Sequence, residues 1–397
     1  MINQGIKLKL KLNSKQIDYI NKHFGCSRFI YNYFLKENID RHNTKNPKLS
    51  LSDMVTSLPI LKKEYHWLKV VDSTMLQKTC KNLDTAYKNF FNKISDLPKF
   101  KKKYNSYQSF NIINANKSNI RVNIDNTVRV GKLGNLKLVR PKKQLKYLNN
   151  LSNYRILSAT ISRDTDYHYY VSFNIECEPK TFLPANQDKI ALDLGIKNNY
   201  TAYYEQDTNY NYWYIDNPKS FNKYQNKLAK FQRRLARKEK KSNNYIKCKE
   251  KVAKIHFKIK SIRKDFNHQL TSKLIKTFQM ITIEDLDLES MKQNNMGKQI
   301  SDLAFHQFKV FLEYKAKWYG RILNKVNKYF ASSKLCNNCL NINSNLTLND
   351  RTWTCQNCNT IHDRDINAAM NLFSAGLIRW NFGITNIDTK TFIECFN

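Results

Sequence analysis

The sequence predicts an α/β protein of several domains that includes a small metal-binding module. Its 397 residues are enough for two or three domains. Apolar patterns with the period of a strand alternate along the chain with patterns that have the period of a helix. Near the end of the chain, two Cys-x-x-Cys pairs stand fifteen residues apart. These three observations indicate the fold class and a bound metal.

The two cysteine pairs predict a zinc site. A Cys-x-x-Cys turn places two thiolates on one side of a metal, and a second pair at this spacing can complete a tetrahedral shell. The four cysteines are Cys336, Cys339, Cys355 and Cys358. Four thiolates leave no open position for water, so we expect one structural zinc ion, in preference to four unrelated thiols.

The charge of the chain predicts a polyanionic partner. Lysine and arginine number 68 against 32 acidic residues, which gives a formal net charge of +36 and a pI near 9.7. Such a field attracts polyanions at long range. Nucleic acid is therefore the expected partner.

The cysteine usage and the hydropathy predict a cytoplasmic protein. Of nine cysteines, the five outside the two pairs have no regular spacing, which is typical of a reducing compartment. No apolar stretch has the length of a signal-peptide core or of a membrane span. We expect a soluble intracellular protein with no membrane contact.

The first third of the chain predicts a helical segment inside a small sheet. Residues 5–12 alternate lysine with apolar side chains, as a strand with one basic face does. Helical patterns follow to about residue 95, with Asn13 or Ser14 and later Asp72 or Ser73 as N-caps.

Short alternating strands follow the break at residues 97–103, and residues 155–161 and 168–177 read as a β-hairpin. We expect a barrel-like sheet into which the helical segment is inserted.

Three carboxylates stand at the ends of predicted elements. Asp193 interrupts a buried-looking strand, Glu284 ends a second strand, and Asp365 opens a late helix. A desolvated carboxylate needs a partner or a metal, although Asp193 could also be a turn residue just beyond its strand. Carboxylates brought together can bind two Mg²⁺ ions, which hydrolyse phosphodiesters.

Neighbouring acids compete for these positions. Asp363 competes with Asp365, and Asp285 and Asp287 compete with Glu284. The sequence contains no His-Glu-x-x-His helix and no glycine-rich phosphate loop, so those hydrolase classes have no support.

Two basic segments are candidate nucleic-acid contacts. Residues 219–264 carry 18 lysines and arginines against two acids, over an apolar stripe that predicts a helical hairpin. A solvated charged face is the alternative, but the shortage of acids favours phosphate binding. The candidate contacts are Arg233, Arg234 and Arg237 in the hairpin and Lys99, Lys101 and Lys102 in the earlier break.

Several motifs together resemble the TnpB family of transposon-encoded proteins, ancestor-like relatives of the type V CRISPR effectors. The resemblance covers nearly the whole chain. Its motifs are residues 191–197 (ALDLGIK), 283–286 (IEDL), 332–334 (SSK) and 362–369 (HDRDINAA), with landmarks at 24–29 (FGCSRF), 97–100 (LPKF) and 131–134 (GKLG).

The resemblance implies a RuvC-like nuclease of RNase H fold that binds two catalytic Mg²⁺ ions through Asp193, Glu284 and Asp365. Asp365 is preferred to Asp363 because the family's ligand directly precedes x-Asn-Ala-Ala. Such a protein binds a guide RNA from the transposon end and cuts target DNA beside a short adjacent motif.

The resemblance also implies a domain plan. It assigns 1–12 and 96–182 to a β-barrel wedge domain, 13–95 to a helical recognition domain, 186–335 and 359–378 to the nuclease domain, 336–358 to an inserted zinc ribbon and 379–397 to a C-terminal tail.

Two rival functions remain at this point. Some relatives of the family have lost acids and act as guided repressors, which the three acids present here argue against. An RNA-independent transposase or accessory DNA-binding protein is the other, and the extent of the basic surface favours a bound RNA over it.

Overall fold

The computed structural model divides into two compact units, Met1–Pro179 and Lys180–Asn397. It describes residues 1–103, 107–114, 119–123, 125–139, 154–195, 199–216, 218–240, 242–285, 304–347, 350–384 and 387–395. Within these ranges, no helix combines the length and the apolar character that crossing a membrane requires.

The first unit begins with the predicted strand and helix. In β1 (Ile2–Lys11) alternate apolar side chains are buried, and α1 (Ser14–Asn43) follows. Asn13 caps α1 in a capping box: its Oδ1 accepts from the backbone N–H of Gln16 at 2.8 Å, and Gln16 Oε1 accepts from the N–H of Asn13 at 3.2 Å. The remaining helices are α2 (Leu51–Thr56), α3 (Leu58–Glu64) and α4 (Ser73–Phe91).

Asp72 stands at the N-cap position of α4, but its side chain makes no capping bond. Its carboxylate accepts instead from the backbone N–H of Lys132 at 3.1 Å. Gly131, with φ +46°, comes so close that an added Cβ would lie 2.3 Å from Asp72 Oδ2. Gly131, the first glycine of the GKLG landmark, is therefore needed for the contact between the sheet and the start of α4.

An antiparallel sheet forms the rest of this unit, in the order β2-β6-β7-β1-β5-β4-β3. β1 pairs with β7 along most of its length and with β5 at its last two residues. No ladder joins the outer strands β2 and β3 within the described ranges, so a closed barrel is not confirmed. The strands are β2 (Gln108–Ile113), β3 (Ile120–Val122), β4 (Thr127–Val130), β5 (Asn135–Leu138), β6 (Tyr154–Arg163) and β7 (Tyr169–Cys177).

The second unit contains a five-stranded sheet in the order β10-β9-β8-β11-β12. β8, β11 and β12 are parallel, whereas β9 and β10 are antiparallel to their neighbours. The strands are β8 (Lys189–Leu194), β9 (Tyr200–Gln206), β10 (Asn209–Ile215), β11 (Met280–Glu284) and β12 (Ile322–Val326). The sequence patterns predicted β8, β9 and β11 and missed β10 and β12.

The helices of this unit include a basic hairpin and the helix that begins at the third acid. The predicted helical hairpin is present as the first two of these helices. The helices are α5 (Ser220–Ala236), α6 (Asn243–Thr277), α7 (Phe305–Tyr319), α8 (Arg364–Phe382) and α9 (Thr389–Glu394). A short hairpin of β13 (Thr352–Thr354) and β14 (Ile361–Asp363) precedes α8.

Helices cover both faces of the five-stranded sheet. On one face, Ile190 and Leu192 join a core with α6 and α7 that includes Phe305 and Phe308. On the other face, Ala191 packs in a core with α8. Because side chains alternate along a strand, Asp193 belongs to the face covered by α8.

α8 approaches the sheet through a glycine. A Cβ at Gly376 would lie 2.1 Å from Thr282 Oγ1 and 3.2 Å from Thr282 Cβ on β11. Asn324 of β12 donates from Nδ2 to the carbonyl of Gly376 at 3.2 Å. The distance between α8 and the sheet therefore depends on the missing side chain.

We expect Gly376→Ala to lower the free energy of unfolding by about 1–3 kcal/mol, because the added methyl must push α8 off β11. Thermal melting measures this. Gly25→Ala in α1 is the matched control, since its Cβ would meet Arg28 Nη2 at 3.9 Å, an ordinary contact, and alanine favours a helix. Equal melting of Gly376→Ala and the unchanged protein would contradict this account of the packing.

Candidate active site and metal centre

Asp193 and Glu284 occupy neighbouring positions on two parallel strands. The ladder between β8 and β11 ends with Ile283 opposite Leu192, and the next residue on each strand is one of the two acids. Parallel strands end at the same edge of a sheet, so both carboxyls stand together there. Asp193 lies inside β8 and pairs with Thr201 of β9, which excludes a turn residue beyond the strand.

The third acid comes from the first turn of α8. Asp363 caps this helix: its Oδ1 accepts from the backbone N–H groups of Asp365 at 3.0 Å and Ile366 at 2.9 Å. Asp365 itself is mostly buried, and its charge acts on Asp193. The structure therefore gives Asp363 a capping position and brings Asp365 near Asp193.

Glu284 can likewise be distinguished from the acids that follow it in the sequence. Asp285 forms an ion pair with Lys309, and its backbone N–H donates to Val326. Asp287 lies outside the described residues. Of Glu284 and Asp285, Glu284 is the one whose charge is coupled to Asp193.

Burial and mutual repulsion raise the pKa values of two acids. Burial first, and then the charge of Asp365, raise the pKa of Asp193 to about 7, while Arg364 acts in the opposite direction. Burial first, and then the charge of Asp193, raise the pKa of Glu284 to about 8. Asp193 is thus the common neighbour of both other acids, and such strongly shifted acids are typical of functional sites.

The carboxylates do not converge on one point. Among the residues that the structure describes, the one group of three or more metal-ligating side chains with donor atoms all within 4.8 Å of one another is the four cysteines. Arg351 places Nη1 3.5 Å from Asp365 Oδ2, so a guanidinium stands at the third acid. The carbonyl of Arg351 also accepts from the N–H of Arg364 at 2.8 Å.

The four cysteines come together as predicted. Cys336 Sγ lies 3.6 Å from Cys358 Sγ, and Cys339 Sγ lies 3.5 Å from Cys355 Sγ. Soft thiolates at tetrahedral spacing are the donor set that zinc prefers. The cluster therefore fits a structural zinc site.

The two cysteine turns repeat one backbone pattern. Cys336 N donates to the carbonyl of Asn341 and Cys355 N to the carbonyl of Thr360, both at 2.9 Å. The residue after the second cysteine of each pair has positive φ, 60° at Leu340 and 55° at Asn359. Repeated hydrogen bonds of this kind hold the sulfur atoms in place before a metal binds.

Two polar side chains that the sequence patterns did not reveal contact the cysteines. His362 Nε2 lies 3.1 Å from Cys336 Sγ, and its ring packs on Trp353 with centroids 4.8 Å apart. Thr360 Oγ1 lies 3.2 Å from Cys358 Sγ, and this hydroxyl is the main cause that lowers the pKa of Cys358 to about 5. Outer partners of this kind orient metal ligands.

Two buried asparagines of α8 fix the first cysteine turn to the helix. Asn367 donates from Nδ2 to the carbonyl of Leu335 at 2.7 Å and accepts from the N–H of Asn337 at 3.0 Å. Asn371, one turn later, donates to the carbonyls of Leu335 at 2.7 Å and Ser332 at 2.8 Å. The asparagine of the 362–369 motif is therefore a tie between the cysteine module and the helix of Asp365.

The three candidate arginines of the hairpin have different surroundings. Arg234 and Arg237 line a cavity of about 440 Å³ between α5 and α6, together with Lys238, Lys247 and Lys251. Arg233 turns back to donate to the carbonyl of its own helix at Ala229, 3.4 Å away. The apolar seam predicted for the hairpin is present as Leu228, Ile255 and Ile259.

The three lysines of the earlier segment have different surroundings. Lys99 pairs with Asp96 at 3.1 Å, and Lys102 is exposed. Lys101 Nζ lies 3.9 Å from the centre of the Tyr31 ring, and burial lowers its pKa. Its ammonium packs on the aromatic ring of α1, while the residue as a whole is exposed.

We expect Cys355→Ser to release zinc and to lower the melting temperature, because metal binding contributes to the free energy of folding. Elemental analysis and thermal melting measure the two effects. Cys395→Ser is the matched control, since Cys395 is exposed and outside the cluster. A Cys355→Ser protein that keeps both zinc and melting temperature would contradict the four-thiolate site.

The raised pKa values also predict how stability depends on pH. In Mg²⁺-free buffer the folded protein keeps protons on Asp193 and Glu284 up to pKa values of about 7 and 8, whereas the unfolded chain loses them near its ordinary values. The stability that these acids contribute is complete below their ordinary pKa values and is lost as the pH rises through 7 and 8.

We therefore expect the melting temperature to fall by several degrees between about pH 5 and about pH 8.5. The double variant Asp193→Asn, Glu284→Gln should show a smaller decline, because its amides do not titrate. Parallel declines in the two proteins would mean that other groups cause the effect.

Sequence families match three parts of the chain. Residues 172–295 match the family described as "Probable transposase", and residues 305–372 match "Cas12f1-like, TNB domain", which spans the cysteine module. Residues 1–46 match "Helix-turn-helix domain". In this structure those residues hold β1 and the single long helix α1.

Two named relatives extend over nearly the whole chain. A Streptomyces pristinaespiralis protein named "Putative RNA-guided DNA endonuclease" is 32% identical over 380 residues, 95% of this chain and 90% of the relative. "Putative RNA-guided DNA endonuclease InsQ" of Escherichia coli K12 is 28% identical over 393 residues, 94% of this chain and 92% of the relative.

The fold is also shared with a solved structure. The cryo-EM structure of a Cas12f1–sgRNA–target DNA complex matches with a TM-score of 0.60 over 94% of this chain and 98% of that chain. The sequence identity is 13%, so this likeness concerns the fold alone. Because a relative 32% identical spans nearly all of this chain, and because other relatives are named TnpB-like proteins, the chain belongs to the TnpB family of transposon-encoded proteins.

Proposed function

We propose that this chain is an RNA-guided DNA endonuclease of a transposable element. One observation carries the proposal: Asp193 and Glu284 follow the last paired residues of two parallel strands, and Asp365 reaches the same sheet face from the helix that covers it. The names of the two long relatives support the same activity. A strand acid, a neighbouring strand acid and a helix acid also support a RuvC-like nuclease of RNase H fold.

The three acids fit divalent cations. Their oxygens are hard donors, which Mg²⁺ prefers, and their mutual repulsion makes the site favourable for positive charge. When bound, two Mg²⁺ ions supply the activation of water and the stabilisation of the leaving oxygen in phosphodiester hydrolysis. Asp193 would hold a cation together with either of the other acids, because it is the neighbour of both.

The side chains contribute more than ligands. Asp193 and Glu284 must lose their protons before they bind a cation, and their raised pKa values couple that loss to metal uptake. Arg351 contacts only Oδ2 of Asp365, at 3.5 Å, so the other carboxylate oxygen would be available to hold a cation.

The zinc module would act as a structural support of this site. Asn367 and Asn371 tie the first cysteine turn to α8, and Asp365 lies in the first turn of that helix. Zinc held by the four cysteines would therefore fix the position of the third acid without touching substrate.

A guide RNA and a target DNA are the proposed partners. The net charge of +36 and the basic cavity of the α5–α6 hairpin, with Arg234 and Arg237, support nucleic-acid binding. The solved Cas12f1 structure of the same fold holds an sgRNA and a target DNA. In this proposal base pairing reads the target sequence and the protein reads shape and the adjacent motif.

The proposed domain plan follows from the same function. The first sheet would serve as the wedge domain, residues 13–95 as the recognition domain, and 186–335 with 359–378 as the nuclease around the zinc ribbon 336–358.

The test is cleavage of a plasmid by protein co-expressed with its flanking locus RNA, against a library randomised beside a guide-matched target. We expect cleavage that requires both the RNA and Mg²⁺. Asp193→Asn and Asp365→Asn should abolish it, because each removes a carboxylate from the site. Asp363→Asn is the matched control and should still cut, since asparagine also caps a helix.

Three other results would reject parts of the proposal. Guide-dependent protection without cleavage would make the protein a repressor. Cleavage that ignores RNA would favour a transposase. Loss of cleavage in Asp363→Asn together with normal cutting by Asp365→Asn would mean that Asp363 is the third acid of the site and Asp365 is not.

A further inference from the structure

Exposed tyrosines line the edge strand of the five-stranded sheet. Tyr210, Tyr212 and Tyr214 alternate along β10 and are 56%, 58% and 39% exposed. Trp213 between them belongs to the opposite face, where Lys273 Nζ lies 4.0 Å from the centre of its ring. The three tyrosines therefore share one face.

That face is the one that carries the acids. Tyr214 pairs with Thr201 of β9, and Thr201 pairs with Asp193 of β8. Tyr214 thus stands in the same cross-strand row as Asp193, two strands away, or about 10 Å. Burial first, and then the charges of Asp363, Tyr212 and Asp365, raise the pKa of Tyr214, which agrees with this position.

Tyr210 differs from the other two. Its ring stacks on Tyr203 at 5.9 Å and meets the edge of Phe373 at 6.0 Å, so it belongs to the packing of α8 on the sheet. Tyr212 and Tyr214 contact each other edge to face, with centroids 5.7 Å apart and an angle of 70° between the rings. This second pair is aromatic, exposed and next to the acids.

A DNA strand that approached Asp193 across β9 and β10 would carry its bases past this pair. A span of about 10 Å corresponds to about three nucleotides at the stacked spacing of about 3.4 Å. Each unpaired base has a π-face that stacks on an aromatic ring, whatever its sequence. A neutral ring also leaves the carboxylates free for cations, whereas a basic side chain pairs with them, as Arg351 does with Asp365 at 3.5 Å.

We propose that Tyr212 and Tyr214 form a platform that stacks an unpaired base of the DNA strand being cut, within about three nucleotides of the scissile phosphate. The tyrosines are positioning residues, and they do not take part in the bond-breaking step. This inference rests on the proposed nuclease function.

Base stacking can be measured without cleavage. The probe is guide-matched DNA with a single 2-aminopurine at successive positions around the cut site, bound to the guide-loaded Asp193→Asn protein. We expect the fluorescence to be quenched at a position within about three nucleotides of the cut. The quenching should disappear when Tyr212→Ala and Tyr214→Ala are added and should persist with Tyr212→Phe and Tyr214→Phe, because phenylalanine also stacks.

Cleavage provides the second measurement. In the otherwise unchanged protein, the alanine pair should raise KM for DNA about tenfold, the loss expected when one stacked base is given up, with little change in kcat. Tyr329→Ala is the matched control, since Tyr329 is 75% exposed and outside β10. Tyr212→Ala alone, at the most exposed of the β10 tyrosines, covers the case in which the pair fails to fold.

The outcomes separate the two proposals. Asp193-dependent cleavage with unchanged KM and unchanged quenching in the alanine variants overturns the platform and leaves the nuclease intact. Equal losses in the alanine and phenylalanine pairs overturn stacking, and an equal loss in Tyr329→Ala overturns the location. Absence of guided, Asp193-dependent cleavage in the unchanged protein overturns the nuclease itself.

Discussion

The close packing of α8 on β8 and β11 is the constraint on which the acidic site depends. Ala191 and Thr282 on the strands and Gly376 on the helix are small enough for backbone to approach backbone. At the end of the same strands stand Asp193 and Glu284, and the first turn of the same helix carries Asp365. The distance between α8 and the sheet is set by this packing several residues away, and it places Asp365 close enough for its charge to act on Asp193.

The cysteine module fixes the helix at the same end. Asn367 and Asn371 use both their amide donors and their acceptors on the first cysteine turn, and they are buried. A buried amide without hydrogen-bond partners costs free energy. Arrangements of the cysteine module and α8 that leave either amide unpaired are therefore disfavoured. Thus α8 is held by packing along its length and by the hydrogen bonds of Asn367 and Asn371, and Asp365 lies in its first turn, just before these asparagines.

The fold class, the cysteine cluster, the first cap and three of the five strands of the second sheet could be predicted from sequence, because each depends on local period or spacing. β10 was not predicted because it consists largely of exposed tyrosines and asparagines, which do not give the alternating apolar pattern of a strand. The choice between Asp363 and Asp365 could not be made from composition, since it depends on which carboxylate caps the helix. The packing of Lys101 on Tyr31 joins residues seventy positions apart, beyond the range of any local pattern.

The position of β1 has a consequence for synthesis of the chain. This strand is made before both of its partners, β7, which ends at Cys177, and β5. A nascent chain therefore keeps one exposed, apolar-faced strand unpaired while more than a hundred further residues are translated. The helices α1 to α4 close by local contacts in the meantime, and the sheet of the first unit forms last. Such long sequence separations slow folding, and at the ribosome they make the interval before Cys177 emerges the time when this protein most needs protection from aggregation.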